Sequence, residues 1–81
     1  MRKIKRFTAS WCGPCKMLEK TLREINLGVE VEVIDIDNSP DVATQYKIRG
    51  VPTLVLVENE VEIKRLIGNK TKPELEAFVN G

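Results

Sequence analysis

Residues 3–18 read KIKRFTASWCGPCKML, and along this stretch a β-strand pattern gives way to a helical one. Residues 3–8 are predicted to form a short strand that ends near Phe7. From Pro14 to about Ile25 apolar residues recur at spacings of three and four, which predicts an amphipathic helix. The two cysteines, Cys12 and Cys15, therefore lie at the junction between the strand and the helix.

The residues after this helix predict a second strand and a second helix. Gly28 is expected to stop the first helix. Residues 29–36 are rich in β-formers, and their alternating valine and glutamate predict a strand with covered valines and solvated glutamates. Ser39-Pro40-Asp41 is a helix-start signal, because it combines a hydroxyl cap with a proline at the first helical position.

The C-terminal third predicts a hairpin followed by a last helix. Residues 54–57 are a continuous apolar run, which is typical of a buried strand. Residues 58–60 are a plausible turn, and residues 61–66 are expected to pair back. Thr71 and Glu74 have capping-box spacing, so the last helix should begin there.

The resulting order, β-α-β-α-β-β-α, predicts an α/β fold with one mixed four-stranded sheet flanked by three helices. Strand–helix–strand units favour parallel pairing with right-handed crossovers, whereas the final hairpin must be antiparallel. The chain of 81 residues is expected to form one domain, residues 1–81.

Composition excludes several classes of function. The net charge is +1 and no long basic run occurs, so we expect no nucleic-acid partner. No apolar run approaches the roughly 20 residues that span a bilayer, and the basic start lacks the apolar stretch of a signal peptide, so we expect a cytoplasmic protein without membrane contact. The absence of histidine excludes Ser-His and Cys-His nucleophile pairs. The small size favours a monomer.

The position of the cysteine pair predicts thiol–disulfide chemistry. Free backbone N–H groups and the positive helix end converge on Cys12, so its thiolate should be stabilised and its pKa should fall below that of free cysteine. Cys15 lies in the first helical turn, close enough to attack a mixed disulfide formed at Cys12. Gly13 and Pro14 let the chain turn tightly and begin the helix.

Two other interpretations of the cysteines remain open at this point. A structural zinc site wants four ligands, whereas this chain offers two thiols and no histidine, so only a dimeric or carboxylate-completed site could form. A purely structural pair of thiols is the other possibility, although a structural disulfide is unusual in a reducing compartment. The strand–helix setting favours the redox interpretation, and we expect no metal site.

The chain resembles the thioredoxin family over nearly its whole length. WCGPCKM, residues 11–17, looks like the active-site signature of that family. Residues 34–40 resemble the third strand of the family and its approach to the next helix. Residues 46–53 are similar to the segment that holds the family's cis-proline, and Gly68 matches a late glycine in spacing.

The resemblance implies a role for each matched position. Cys12 would be the exposed nucleophile and Cys15 the buried resolving thiol. Pro52 would be cis and lie against the cysteines, exposing the Val51 backbone for strand-like pairing with a substrate peptide. The redox group would be the cysteine pair itself, without a cofactor. The apolar substrate surface implied by the resemblance comprises Trp11, Gly13, Pro14, Val51, Ile67 and Gly68.

The sequence departs from the family at its start. Met1 begins almost at the strand that leads into the motif, without the usual preceding strand and helix, as in a smaller glutaredoxin-like core. The strand at residues 29–36 is then expected to be a sheet edge, which Glu30 and Glu32 would protect against edge pairing.

A second departure concerns charge near the resolving cysteine. Arg6 stands six residues before the first cysteine, where the family usually has a buried aspartate, and Val33 occupies the position of that aspartate's lysine partner. An unpaired buried guanidinium is costly, so we expect Arg6 to reach solvent or to pair with a carboxylate such as Asp35. Our hypothesis is that Arg6 favours the Cys15 thiolate; the alternative is that Arg6 points away from the thiols. Lys16 is a second candidate for this effect.

Three functions follow, in decreasing order of support. The first is an electron carrier that reduces protein disulfides, ribonucleotide reductase being one compatible substrate, and that receives electrons from a flavin- and NADPH-dependent thioredoxin reductase. The second is a glutaredoxin-like reductase fed by glutathione, against which Gly13-Pro14 argues because glutaredoxins usually have Pro-Tyr there. The third is a non-catalytic binding module.

Overall fold

The computed structural model describes residues 1–81 and contains four strands and three helices in the predicted order. The sheet has the strand order β2-β1-β3-β4, in which β1 and β2 run parallel and the other two pairs are antiparallel. The predicted mixed four-stranded sheet is therefore confirmed. The elements are β1 (Arg2–Thr8), α1 (Gly13–Arg23), β2 (Glu30–Asp35), α2 (Pro40–Gln45), β3 (Thr53–Glu58), β4 (Val61–Ile67) and α3 (Lys72–Asn80).

The helices cover both faces of the sheet, and β3 is buried on both sides. Leu54 and Leu56 belong to a core shared with α1 and α3, whereas Val55 and Val57 pack with Phe7 on the α2 side. Because successive strand residues point to opposite faces, a strand covered on both faces must be apolar throughout. This accounts for the continuous apolar run that predicted a buried strand.

Helix α1 begins as predicted and ends earlier than predicted. It ends at Arg23 because the N–H of Glu24 bonds to the carbonyl of Thr21, a tightened last turn that closes the helix. Gly28 does have a positive φ of 73°, but it lies in the following turn, where its N–H donates to the Asn26 side chain. The assignment of Gly28 as the helix stop was therefore wrong.

The helix starts differ in how they are capped. Thr71 and Glu74 form the reciprocal capping box that their spacing predicted for α3. Ser39 lies at the N-cap of α2, yet its hydroxyl makes no capping hydrogen bond, so that part of the prediction was wrong. Asp35 orders the preceding turn instead, because its Oδ1 accepts from the N–H groups of Asp37 and Asn38.

The prediction that strand β2 lies at a sheet edge is confirmed, whereas the predicted covering of its valines fails at one position. Val33 is 57% exposed. It pairs in register with Arg6 and borders a polar cavity beside Cys15, so no apolar side chain covers it. On the opposite face of β2, which carries the glutamates, Ile34 is buried against Phe7. The glutamate face is therefore not wholly solvated.

The glutamate face of β2 is held by ion pairs with β1. The Glu32 carboxylate lies 2.8 Å from Lys3 Nζ and 3.0 Å from Lys5 Nζ, and Lys5 is itself almost buried above the Tyr46 ring. These contacts hold the pKa of Glu32 below its usual range, chiefly through the hydrogen bond from Lys3. None of the three helices has the length and apolar character needed to cross a membrane.

Candidate active site

The two cysteines form a disulfide at the N-terminal end of α1. Cys12 is the N-cap residue, and its Sγ accepts a hydrogen bond of 3.1 Å from the N–H of Cys15. Its own N–H bonds back to the carbonyl of Ala9 at 3.2 Å, which fixes the turn between β1 and α1. One backbone donor, the N–H of Cys15, thus points at Cys12 Sγ, which lies at the helix end as the position of the motif predicted.

Burial distinguishes the two sulfurs less than the resemblance implied. Cys15 is 1% exposed, as expected of a resolving thiol, but Cys12 is also only 4% exposed in this disulfide-bonded form. The expectation of an exposed Cys12 was therefore wrong for this form. The physical reason is packing, because Cys12 shares a small cluster with Cys15 and Ala9 against Ile36 and Val51.

The proline segment lies directly against the disulfide. The Val51–Pro52 bond is cis, as the resemblance implied, and the carbonyl oxygen of Val51 lies 3.7 Å from Cys12 Sγ. The carbonyl of Pro52 accepts a 2.9 Å hydrogen bond from the N–H of Gly68, which adopts a positive φ of 93°. This bond brings the end of β4, with Ile67, next to the proline segment.

The residues assigned to a substrate surface meet around the disulfide. Trp11 is 67% exposed and Ile67 is 65% exposed, so both side chains offer apolar area to a partner. Trp11 Nε1 donates a 3.0 Å hydrogen bond to Asp37 Oδ2, which orients the indole. Of the remaining members, Gly13 and Pro14 are exposed, while Val51 and Gly68 are half-buried.

Sequence reasoning missed Asp37, although a signal for it existed. Strands β1 and β2 are parallel, so the residues after both strands must meet at one edge of the sheet. Trp11 follows β1 and Asp37 follows β2. An indole N–H donor and a carboxylate placed at that edge could have been paired from topology alone.

Arg6 lies behind the disulfide and is buried. Its side chain is only 7% exposed, and Nη2 lies 3.8 Å from Glu19 Oε2 on α1. The expectation of a carboxylate partner is thus confirmed, but the suggestion of Asp35 was wrong, because Asp35 is engaged by backbone N–H groups. Helical spacing could have indicated Glu19, since it lies four residues after Cys15 and shares its face of α1.

The ion pair lines a cavity of about 200 Å³ that also borders Cys15. Burial lowers the pKa of Arg6, and the carboxylate of Glu19 partly offsets that effect. Arginine still remains protonated, so a positive charge faces the cavity beside the buried sulfur. Lys16 is exposed at the same cavity. The cavity lining includes Arg6, Ser10, Cys15, Lys16, Glu19 and Asp35.

The arrangement is suited to exchange between a dithiol and a disulfide. Two sulfurs three residues apart can form and break an internal bond, and the N–H groups of the helix end stabilise a thiolate at the first one. No group of three or more Cys, Asp or Glu side chains is placed to hold a metal ion.

The family model for thioredoxin matches residues 3–81. The chain belongs to the thioredoxin family. The family fold accounts for the shared position of the cysteine pair, the cis-proline and the glycine at the end of β4.

Known thioredoxins resemble the chain in sequence and in structure. Thioredoxin H2 of Arabidopsis thaliana is 43% identical over 77 residues, which make up 91% of this chain and 57% of that protein. A thioredoxin of Chlamydia trachomatis is 42% identical over 72 residues, covering 85% of this chain and 71% of its own length. The crystal structure of a Nicotiana alata thioredoxin superposes on this chain with a TM-score of 0.89. The two are 34% identical, and the match covers 98% of this chain and 70% of that one.

Proposed function

We propose that this protein is a thiol–disulfide oxidoreductase that reduces protein disulfides. The observation that carries the proposal is the disulfide between Cys12 and Cys15 at the N-terminal end of α1, facing the cis-proline segment. The dithiol form supplies two electrons, and the disulfide form is the product of the reaction.

In the first step the Cys12 thiolate attacks one sulfur of the substrate disulfide. A bond forms between Cys12 Sγ and that sulfur while the substrate's sulfur–sulfur bond breaks, and the other substrate sulfur leaves as a thiolate that takes up a proton. The N–H of Cys15, which points at Cys12 Sγ at 3.1 Å, stabilises the attacking anion.

In the second step Cys15 resolves the mixed disulfide. Its thiol loses a proton and attacks Cys12 Sγ, the Cys12–substrate bond breaks, and the second substrate sulfur leaves as a thiolate and is protonated. The substrate gains two electrons and two protons, and the protein is left with the Cys12–Cys15 disulfide.

Arg6 is proposed to assist this second step. It is a positioning residue rather than a catalytic one, since it acts on the substrate only through Cys15. Its buried guanidinium lines the same cavity as Cys15, where a positive charge favours the thiolate over the thiol. Lys16, exposed at the cavity mouth, acts in the same direction but is screened by water.

The substrate surface is proposed to hold an extended peptide over the disulfide. Trp11 and Ile67 offer exposed apolar area on either side, and the Val51 backbone offers strand-like hydrogen bonding next to Cys12. A surface of this kind contacts backbone and apolar side chains, so it suits many protein disulfides. Ribonucleotide reductase is one compatible substrate.

The proposed electron donor is a flavin- and NADPH-dependent thioredoxin reductase, with glutathione as the alternative. The Gly13-Pro14 pair between the cysteines supports the first donor, because it matches thioredoxins and not the Pro-Tyr of glutaredoxins. A dithiol donor of this kind functions in a reducing compartment, so we propose the cytoplasm as its location. Regeneration rates with each donor, measured on the oxidised protein, distinguish the two.

Trapping of reaction intermediates tests the function. A Cys15→Ser variant should accumulate a mixed disulfide through Cys12 when it is mixed with a disulfide-bonded protein such as insulin, and the adduct should be visible by mass spectrometry. A Cys12→Ser variant should form no such adduct and should not reduce insulin. Equal turnover by wild type and Cys12→Ser would contradict the proposal.

The double variant Cys12→Ser, Cys15→Ser distinguishes an electron carrier from a binding module. Biological activity in a thioredoxin-deficient host should disappear with both thiols if the protein carries electrons. Activity that survives would instead assign the protein to the binding modules.

A further inference from the structure

A second concavity, of about 350 Å³, opens beside the proline segment and away from the Arg6 cavity. Its floor includes Thr53, which is buried and donates a 2.7 Å hydrogen bond to the carbonyl of Gly50. Its walls carry three cationic side chains and one large apolar one. The lining consists of Lys47, Arg49, Gly50, Thr53, Arg65 and Ile67.

The charge of this concavity is unbalanced. Arg65 pairs with Glu62 at 2.7 Å, whereas Lys47 and Arg49 form no ion pair and are exposed. One carboxylate against three cations leaves a local excess of two positive charges, in a chain whose net charge is only +1. Uncompensated positive charge around a concave surface attracts carboxylates.

Arg65 is fixed in place before any ligand arrives. Its Nε and Nη2 hold the two oxygens of Glu62, and Nη2 also donates a 2.9 Å bond to the carbonyl of Tyr46. Its Nη1 group makes no hydrogen bond within the chain, so two N–H donors of the rigid guanidinium remain free. A side chain already ordered loses little entropy when it binds.

The concavity adjoins the proposed substrate surface. Gly50, in its wall, precedes Val51, whose carbonyl lies 3.7 Å from Cys12 Sγ. Ile67 belongs both to this wall and to the exposed apolar surface. Because an extended peptide advances about 3.3 Å per residue, a substrate cysteine at Cys12 brings the residues one to three positions away within reach of the cations.

We propose that this concavity selects disulfide substrates that carry acidic side chains within about three residues of the attacked cysteine. The inference rests on the proposed function and names a substrate class for it. Aspartate or glutamate carboxylates would bind the free Nη1 donors of Arg65 and the exposed charges of Lys47 and Arg49. The apolar surface then holds the peptide, and the cations determine which peptides are held best.

Competition between matched peptides tests this inference. Two peptides with the same intramolecular disulfide, one flanked by glutamates and one by lysines, are reduced by the dithiol form under pseudo-first-order conditions. Wild type should prefer the glutamate peptide by about tenfold at 0.01 M ionic strength, and by about twofold or less at 1 M, where charges are screened beyond about 3 Å.

Variants assign the preference to the concavity. Lys47→Glu combined with Arg49→Glu should reverse the preference, a result that loss of structure alone cannot produce. Lys20→Glu, a charge reversal at another exposed lysine in the last turn of α1, serves as the control and should leave the ratio near its wild-type value. Equal rates for the two peptides, or a preference unaffected by the charge reversal, would overturn the inference.

A neutral reagent separates this inference from the proposed function. The uncharged disulfide dithiodipyridine should react with the reduced wild-type protein and leave the Cys12–Cys15 disulfide. If it does, and the peptides show no charge preference, only the substrate class is wrong. If the reduced cysteines do not react with dithiodipyridine either, the proposed function itself fails.

Discussion

At the scale of single residues, the buried guanidinium of Arg6 is the feature that most affects the chemistry of the resolving thiol. Burial of a charge is tolerated only with a partner, and Glu19 at 3.8 Å provides one that is itself 41% exposed. The pair is therefore loose, and part of the positive charge remains directed at the cavity shared with Cys15.

Replacing Arg6 tests this effect directly. In Arg6→Met the pKa of the Cys15 thiol should rise, because the cation that favours the thiolate is gone, and resolution of mixed disulfides at neutral pH should slow by about three- to tenfold. Thiol titration of the reduced protein by NMR measures the pKa. Glu19→Gln should shift the pKa of the Cys15 thiol in the opposite direction. An unchanged pKa in both variants would contradict the proposed effect of Arg6 on Cys15.

The backbone conformation of Lys47 lowers the stability of the fold. It follows α2 with a positive φ of 54°, a region that costs a side chain with a Cβ about 1–2 kcal/mol. Lys47→Gly should therefore raise the free energy of unfolding by about 1 kcal/mol in urea titrations. Lys20→Gly, inside α1, should lower it by about 1 kcal/mol, so a loss of stability in both variants would contradict this interpretation.

At the scale of elements, the edge strand β2 is joined to β1 by a titratable contact. Lys3 and Lys5 hold the pKa of Glu32 down, so the stability from this contact is present above the ordinary glutamate pKa of about 4.3 and is lost as the pH falls through the lower folded value. The contribution should be below about 1 kcal/mol, because the Glu32 side chain is 40% exposed.

Glu32→Gln isolates that contribution. The stability difference between wild type and Glu32→Gln should be present near neutral pH and should shrink as the pH falls below about 4.3 and through the lowered pKa of Glu32, as measured by urea unfolding across that range. Glu30→Gln on the same strand, where the carboxylate forms no ion pair, is the matched control and should show no such pH-dependent difference. A difference between wild type and Glu32→Gln that persists in acid would contradict the ion-pair account.

The elements also show how far the sequence determines the structure. Apolar periodicity, helix-start signals and hairpin pairing together predicted all seven elements, because burial of apolar faces and local capping dominate their formation. Periodicity could not place the end of α1 at Arg23, nor show that the Ser39 hydroxyl stays unused, since both depend on one or two local hydrogen bonds. The exposure of Val33 depends on a tertiary cavity that no alternation pattern describes.

In the active site too, local features could be predicted from the sequence, whereas contacts between elements could not. The cysteine pair and its helix end could be predicted from a local motif, and Pro52 from the family resemblance. The partners of Arg6 and Trp11 come from other elements: Glu19 follows from the face of α1 that carries Cys15, and Asp37 follows from the sheet topology. The burial of Cys12 follows from its packing against Ala9, Ile36 and Val51, which no local sequence pattern describes.

At the scale of the whole molecule, the fold brings three separate segments to one end of α1. The loop after β1 and the first turn of α1 carry the cysteines, the cis-proline segment precedes β3, and the glycine after β4 bonds to that segment. The cationic concavity lies beside them, lined by residues of β3, β4 and the loop after α2. One surface can therefore combine the reaction with the choice of substrate.

The reduction potential of the Cys12–Cys15 pair, measured in graded thiol–disulfide buffers, tests the central claim most directly. The account predicts a reversible two-electron couple at about −270 mV, the value of thioredoxin. A value of roughly −230 to −200 mV would instead indicate glutathione as the electron donor. A pair that forms no reversible disulfide, or a potential at or above about −180 mV, where disulfide-forming and disulfide-shuffling proteins lie, would contradict a disulfide reductase.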